Sequence, residues 1–127
     1  MRDLKIESLI EDSLGKVFFD STDEERFQNQ TLRPILKFQN DLLILVMKNY
    51  IKKHKTDFNT FSIPKKLIFF ENSIQKDIKL RNALKGMIIG LFQTSEYESY
   101  IQNSSALNKR MMHLLIERYK SQVQLFE

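Results

Sequence analysis

Two histidines, His54 and His113, and no cysteine set the limits of the chemistry this chain can offer. His113 and Glu117 stand four residues apart, about one turn of a helix, so both side chains can reach one ion. Two ligands fall short of a zinc site, and neither His-Glu-x-x-His nor Glu-x-x-His spacing occurs. The same spacing describes a solvated pair on the wet face of a helix. Without cysteine the available nucleophiles are Ser, Thr and Lys, and no Gly-x-Ser-x-Gly elbow presents a serine. Gly86 to Gly90 lacks the Lys-Ser/Thr ending of a phosphate loop and lies inside an apolar helical pattern. With Ala83 these glycines form a stripe of small residues. Each Gly costs a helix roughly 0.8–1 kcal/mol relative to Ala, so close approach of another helix, or a ligand groove, is expected there. No catalytic, cofactor-binding or metal-binding residue is assigned. The chain leans away from enzymatic activity, and no cofactor is expected.

Charge adds little. Twenty Lys and Arg against sixteen Asp and Glu leave a net charge of +4. Basic residues are scattered except for Lys48, Lys52, Lys53, His54 and Lys55, which close a predicted helix, where cations complement the negative end of the macrodipole. A phosphate-binding patch is the alternative. Nucleic-acid binding needs a basic recognition helix or aromatics interleaved with a basic groove. The ten Phe and four Tyr fall mostly at core spacing, so a nucleic-acid partner is disfavoured.

The elements that carry these residues read as all-α. Three Gly and two Pro are too few to punctuate a β fold. The 127 residues, 42% of them hydrophobic, suit a single-domain bundle of four to six helices spanning 1–127, with residues 1–20 as a loosely attached N-terminal segment. A first helix is expected from about Leu4 to Leu14, stopped by Gly15. A second starts at Thr22, which with Glu25 makes a capping box, and runs to Arg33. Pro34 to His54 is the strongest signal. Ile35, Phe38, Leu42, Leu43, Leu45, Val46, Met47, Tyr50 and Ile51 cover well over half its circumference, which predicts a central buried helix. Ser62 and Pro64 open the next helix, which either runs to Phe92 or restarts at Asn72 or Ser73. Lys66 to Phe70 and Val17 to Phe19 are short apolar runs for which a strand is a rival. Ser95 and Glu98 suggest another capping box, and Ser104 or Ser105 opens a final helix reaching about Leu125.

The mixture of acids and apolar residues in MRDLKIESLIEDS does not resemble a secretory leader. The longest apolar run, Leu42 to Met47, is far below the roughly 20 residues of a membrane span. A cytoplasmic protein with no membrane association is expected.

Two constellations on the last helix bear on function. Met112, Ile116, Tyr119, Val123 and Phe126 follow the 4-3-4-3 spacing of a packing seam, which either sits between other helices or faces a partner, such as a second copy of the chain. Arg118 and Gln122 lie within the same broad apolar arc, as Gln39 and Asn49 lie among the apolar positions of the Pro34–His54 helix. These four residues either snorkel and satisfy one another or line a polar pocket.

Three stretches, LRPILKFQNDLLILVMKNYI, IQKDIKLRNALKGMIIGLF and YIQNSSALNKRMMHLLIERYKSQVQLFE, resemble a short, uncharacterised bacterial helical protein family whose members are sometimes labelled glyoxalase. The resemblance leaves out the first thirty residues or so and supplies no functional residues. The label implies βαβββ modules with His and Glu ligands on strands, an arrangement that this helical pattern with its two histidines does not display. The leading expectation is a non-enzymatic helical interaction protein, self-associating or binding another protein. A small-molecule-binding protein or enzyme with a polar pocket between helices is the second. A nucleic-acid-binding regulator using Lys52 to Lys55 is the third.

Overall fold

A computed structural model describes residues 1–11 and 22–126. Among them there is no strand, and the all-α class holds. The order is α1 (Arg2–Ile10), α2 (Asp23–Phe27), a π turn (Gln28–Leu32), α3 (Arg33–Phe38), α4 (Asn40–Lys53), α5 (Ile63–Lys76), α6 (Ile78–Ile89), α7 (Thr94–Gln102) and α8 (Ser104–Ser121). Short 3-10 turns occupy Phe58–Thr60 and Val123–Phe126. With α2, the π turn and α3 running on as one body, seven helices stand among the described residues where four to six were expected. The expected stop at Leu14 and Gly15 and the Val17–Phe19 run lie outside the described residues.

Local chemistry explains most boundaries. Thr22 caps α2 by accepting from the Glu25 amide at 3.2 Å. Pro34 lacks an N–H, and its ring crowds the carbonyl four residues back. The π turn just before it widens the ladder at that point, so the helix continues instead of stopping. Ser62 caps α5 with Pro64 in its first turn, and Lys66–Phe70 is helical throughout. The long segment restarts at Asp77, not at Asn72 or Ser73. Asp77 has ψ 102°, ends α5 and caps α6 by accepting from the Leu80 amide at 3.2 Å. The capping box before α7 is made by Gln93 and Glu96, two residues ahead of the expected Ser95 and Glu98. Gln was not expected at a cap because its longer side chain seldom serves there.

The most central element is α8, which buries Leu107, Met111, Leu114, Leu115, Ile116 and Tyr119. Phe70 stacks on Tyr119 at 5.7 Å between ring centres and meets Phe126 at 5.0 Å and Phe58 at 5.5 Å. This aromatic nest joins α5, α8 and both 3-10 turns. The expectation of a buried central helix over Pro34–His54 is corrected in two ways. A turn at Gln39 (φ −84°, ψ 0°) divides the segment into α3 and α4, and α4 buries only Leu43, Ile44 and Met47. Leu42 and Leu45 are 49% and 62% exposed, so the wide apolar arc is not wholly core.

The N-terminal helix is pinned at its first residues. Arg2 donates to the carbonyls of Gly90 and Phe92 at 2.8 and 2.7 Å, while Asp3 accepts from the Thr94 amide at 2.9 Å and from the Thr94 hydroxyl. Those bonds hold the Asp3 carboxyl below its ordinary range, the Thr94 hydroxyl first and its amide second. The small-residue stripe of α6 does not mark a close approach. Ala83, Gly86 and Gly90 are exposed, and a methyl added at Gly86 would meet nothing within 4 Å.

Candidate functional site

The break at Asp77 splays α6 from α5 and opens a groove of about 790 Å³ on the surface. Its apolar wall comes from Ile68 and Phe69 of α5, Ile78 of α6, Phe61 and the ring of Tyr50. Ile68 and Ile78 are 54% and 61% exposed. The core phase of α5 runs through Lys66, Phe70, Ser73 and Ile74, which puts Ile68 on the opposite side of the helix. Lys65, Lys76 and Lys79 stand along the rim, the first with its ammonium 4.2 Å from the centre of the Phe61 ring.

One end of the groove is polar. The Tyr50 hydroxyl donates to Asp77 Oδ2 at 2.8 Å, and His54 Nε2 lies 3.8 Å from the same oxygen. His54 Nδ1 is 2.9 Å from the Tyr50 carbonyl, which holds the imidazole against the Tyr50 ring at 4.0 Å. Burial first, and the hydrogen bond to Asp77 second, push the Tyr50 phenol above its ordinary value. The Tyr50 hydroxyl and the Leu80 amide hold the Asp77 carboxyl below its own. The hydrogen bond between the phenol and the carboxylate holds the two groups in place at this end of the groove. Asp77 is also occupied in capping α6, which fixes the angle of the groove.

The five seam residues are brought together, but inside the chain. Ile116, Tyr119 and Phe126 are buried by α5 and the 3-10 turns, and only Met112 and Val123 are half-buried. Of the two readings of this seam, the burial fits the one in which it packs between elements of the chain. The four pocket residues are separated. Arg118 and Gln122 meet Asn40, with Gln122 and Asn40 exchanging two bonds of 2.8 Å and Arg118 donating to Asn40 Oδ1 at 3.1 Å. Burial, then the charge of Arg33, lowers the Arg118 guanidinium. Gln39 instead donates to the Met87 carbonyl at 3.0 Å, and Asn49 is exposed. Of the two readings of these residues, Arg118 and Gln122 fit the one in which polar side chains are satisfied by neighbours. His113 and Glu117 are exposed neighbours, and among the described residues no group of three His, Cys, Asp or Glu is placed to hold a metal.

Sequence reasoning missed Ile68 and Ile78 as surface residues, and Phe69 as half-buried beside them. The available signal was an excess, since KLIFF carries apolar side chains on more sides of the helix than one core can take. Among the described residues no helix is long and apolar enough to cross a membrane. The chain matches no family model, no curated protein and no solved structure.

Proposed function

We propose that the protein is a non-enzymatic interaction module whose α5–α6 groove docks an acidic, amphipathic segment of a protein partner. The observation that carries this is the pairing of an exposed apolar wall, Ile68 and Ile78, with a rim of three lysines, Lys65, Lys76 and Lys79. An amphipathic helix lays apolar anchors into such a wall, and acidic residues beside those anchors meet the lysines. Charge complementarity of this kind favours encounter and selects against basic partners. Peptide-display selection on the intact protein, counter-selected with Ile68→Glu, tests it. Peptides with apolar residues three and four apart and flanking Asp or Glu are expected, with binding lost in Ile68→Glu. Selected peptides rich in Lys and Arg, or equal binding to Ile68→Glu, would exclude this role.

Self-association is a second reading, favoured by a different observation. Phe38, Leu42 and Leu45 are exposed at 4-3 spacing on α3 and α4, a short stripe on which a second copy can pack. Light scattering across a concentration series tests it. A mass that doubles and returns to one chain in Leu42→Lys supports it, and one chain at every concentration excludes it.

A further inference from the structure

On the face of α4 away from Tyr50 and His54, Lys48 and Lys52 stand one turn apart, and Lys55 follows after the helix ends. They surround a hollow of about 440 Å³ that Thr56, Asn59 and the edge of Phe58 also line. Among the described residues, no carboxylate lies within ion-pair distance of any of the three ammonium groups. Complementing the helix end explains some positive charge here, since the macrodipole there amounts to about half a negative charge. Three lysines exceed that need.

Two further observations concern neutral atoms and backbone. Thr56 Oγ1 is buried without any hydrogen-bond partner, the only such side-chain atom among the described residues. Buried hydroxyls are nearly always bonded, so this one awaits an acceptor or a donor. Lys55 has φ 49°, the left-handed conformation just past the helix end, where Gly or Asn is the usual residue. It is the only non-glycine residue among those described with positive φ, and its amide donates to the Lys52 carbonyl at 3.2 Å. A glycine would close α4 with less strain. Placing a lysine there brings a third cation to the hollow.

We infer that this hollow binds the phosphoryl group of a small phosphorylated molecule, held by Lys48, Lys52 and Lys55 with the Thr56 hydroxyl as a neutral partner. Lysine ammoniums serve phosphate as point charges, and a hydroxyl donates to the remaining oxygen. The three lysines line a single hollow, whereas a nucleic-acid strand needs cations spread along a track. The inference does not rest on the groove between α5 and α6, which lies on the other side of α4.

Titration of the intact protein with pyrophosphate, followed by calorimetry and thermal unfolding, tests the site. Sodium chloride of matched ionic strength is the control. Pyrophosphate is expected to raise the melting temperature where chloride does not, because a ligand that binds only the folded state stabilises it. Lys52→Gln should weaken binding at least tenfold. Lys55→Gly should melt higher than the parent without ligand, yet bind at least tenfold more weakly, a combination that mere damage to the fold cannot produce. Thr56→Val should likewise keep its fold and bind several-fold more weakly. Equal shifts with chloride, or undiminished binding in Lys52→Gln and Lys55→Gly, overturn the inference. So does an oligonucleotide that binds through these lysines while pyrophosphate does not.

Discussion

The Tyr119 hydroxyl donates to the Leu43 carbonyl oxygen at 2.6 Å, tying α8 to α4 through a bond buried in the core. Burial drives the Tyr119 phenol far above its ordinary value, so it stays a donor across the accessible pH range. Tyr119→Phe keeps the stack on Phe70 and removes only the donor. It should lower the unfolding free energy by about 1 kcal/mol, read as a lower urea midpoint with an unchanged slope.

Ile116 and Leu45 provide an opposed pair. Ile116 is buried against the core, whereas Leu45 is 62% exposed. Ile116→Lys places an unpaired charge inside and should cost upwards of about 3 kcal/mol, seen as loss of cooperative unfolding by circular dichroism. Leu45→Lys should stay within about 0.5 kcal/mol of the parent. The reverse ordering would mean that α8 presents its seam outward.

Gly86 sits inside α6 with open space around the position a methyl would occupy. Nothing in the fold requires a glycine there. Gly86→Ala should stabilise the protein by about 0.5–1 kcal/mol, measured by urea titration.

Asp77 gives stability a defined pH limb. Its folded-state carboxyl lies below the ordinary 3.8, so the unfolded chain takes up a proton first as acid is added. The contribution is complete above that ordinary value and is lost as pH falls through the folded one. Asp77→Asn keeps an acceptor for the Leu80 amide and for Tyr50 but cannot titrate. Its melting temperature should therefore fall less than the parent's between neutral and strongly acidic pH. Identical pH profiles would remove Asp77 from the account.

Much of this was legible in the sequence because helix caps are local. Thr22 and Ser62 announce α2 and α5 by side-chain bonds to amides three residues on, and no distant partner enters. Asp77 was missed because Gln75 to Leu80 keeps a helical rhythm through the break. Periodicity also identified apolar sides of α4 and α8 without telling which faces inward. Leu45 and Ile116 belong to equally convincing stripes, and only the packing of α5 against α8 distinguishes them. The groove depends on the angle between α5 and α6, a tertiary quantity that no spacing encodes.

The π turn at Gln28–Leu32 carries an evolutionary constraint. It holds an extra residue relative to an α-helical turn, so everything before it is rotated by about 100° from the phase α3 would impose. That rotation lets Phe27 meet Phe92 edge-to-face at 5.5 Å and Glu24 reach Arg110 at 3.3 Å. Deleting one residue there would shorten nothing that matters and yet turn both contacts away. Insertions and deletions in descendants of this chain should therefore be purged from this turn.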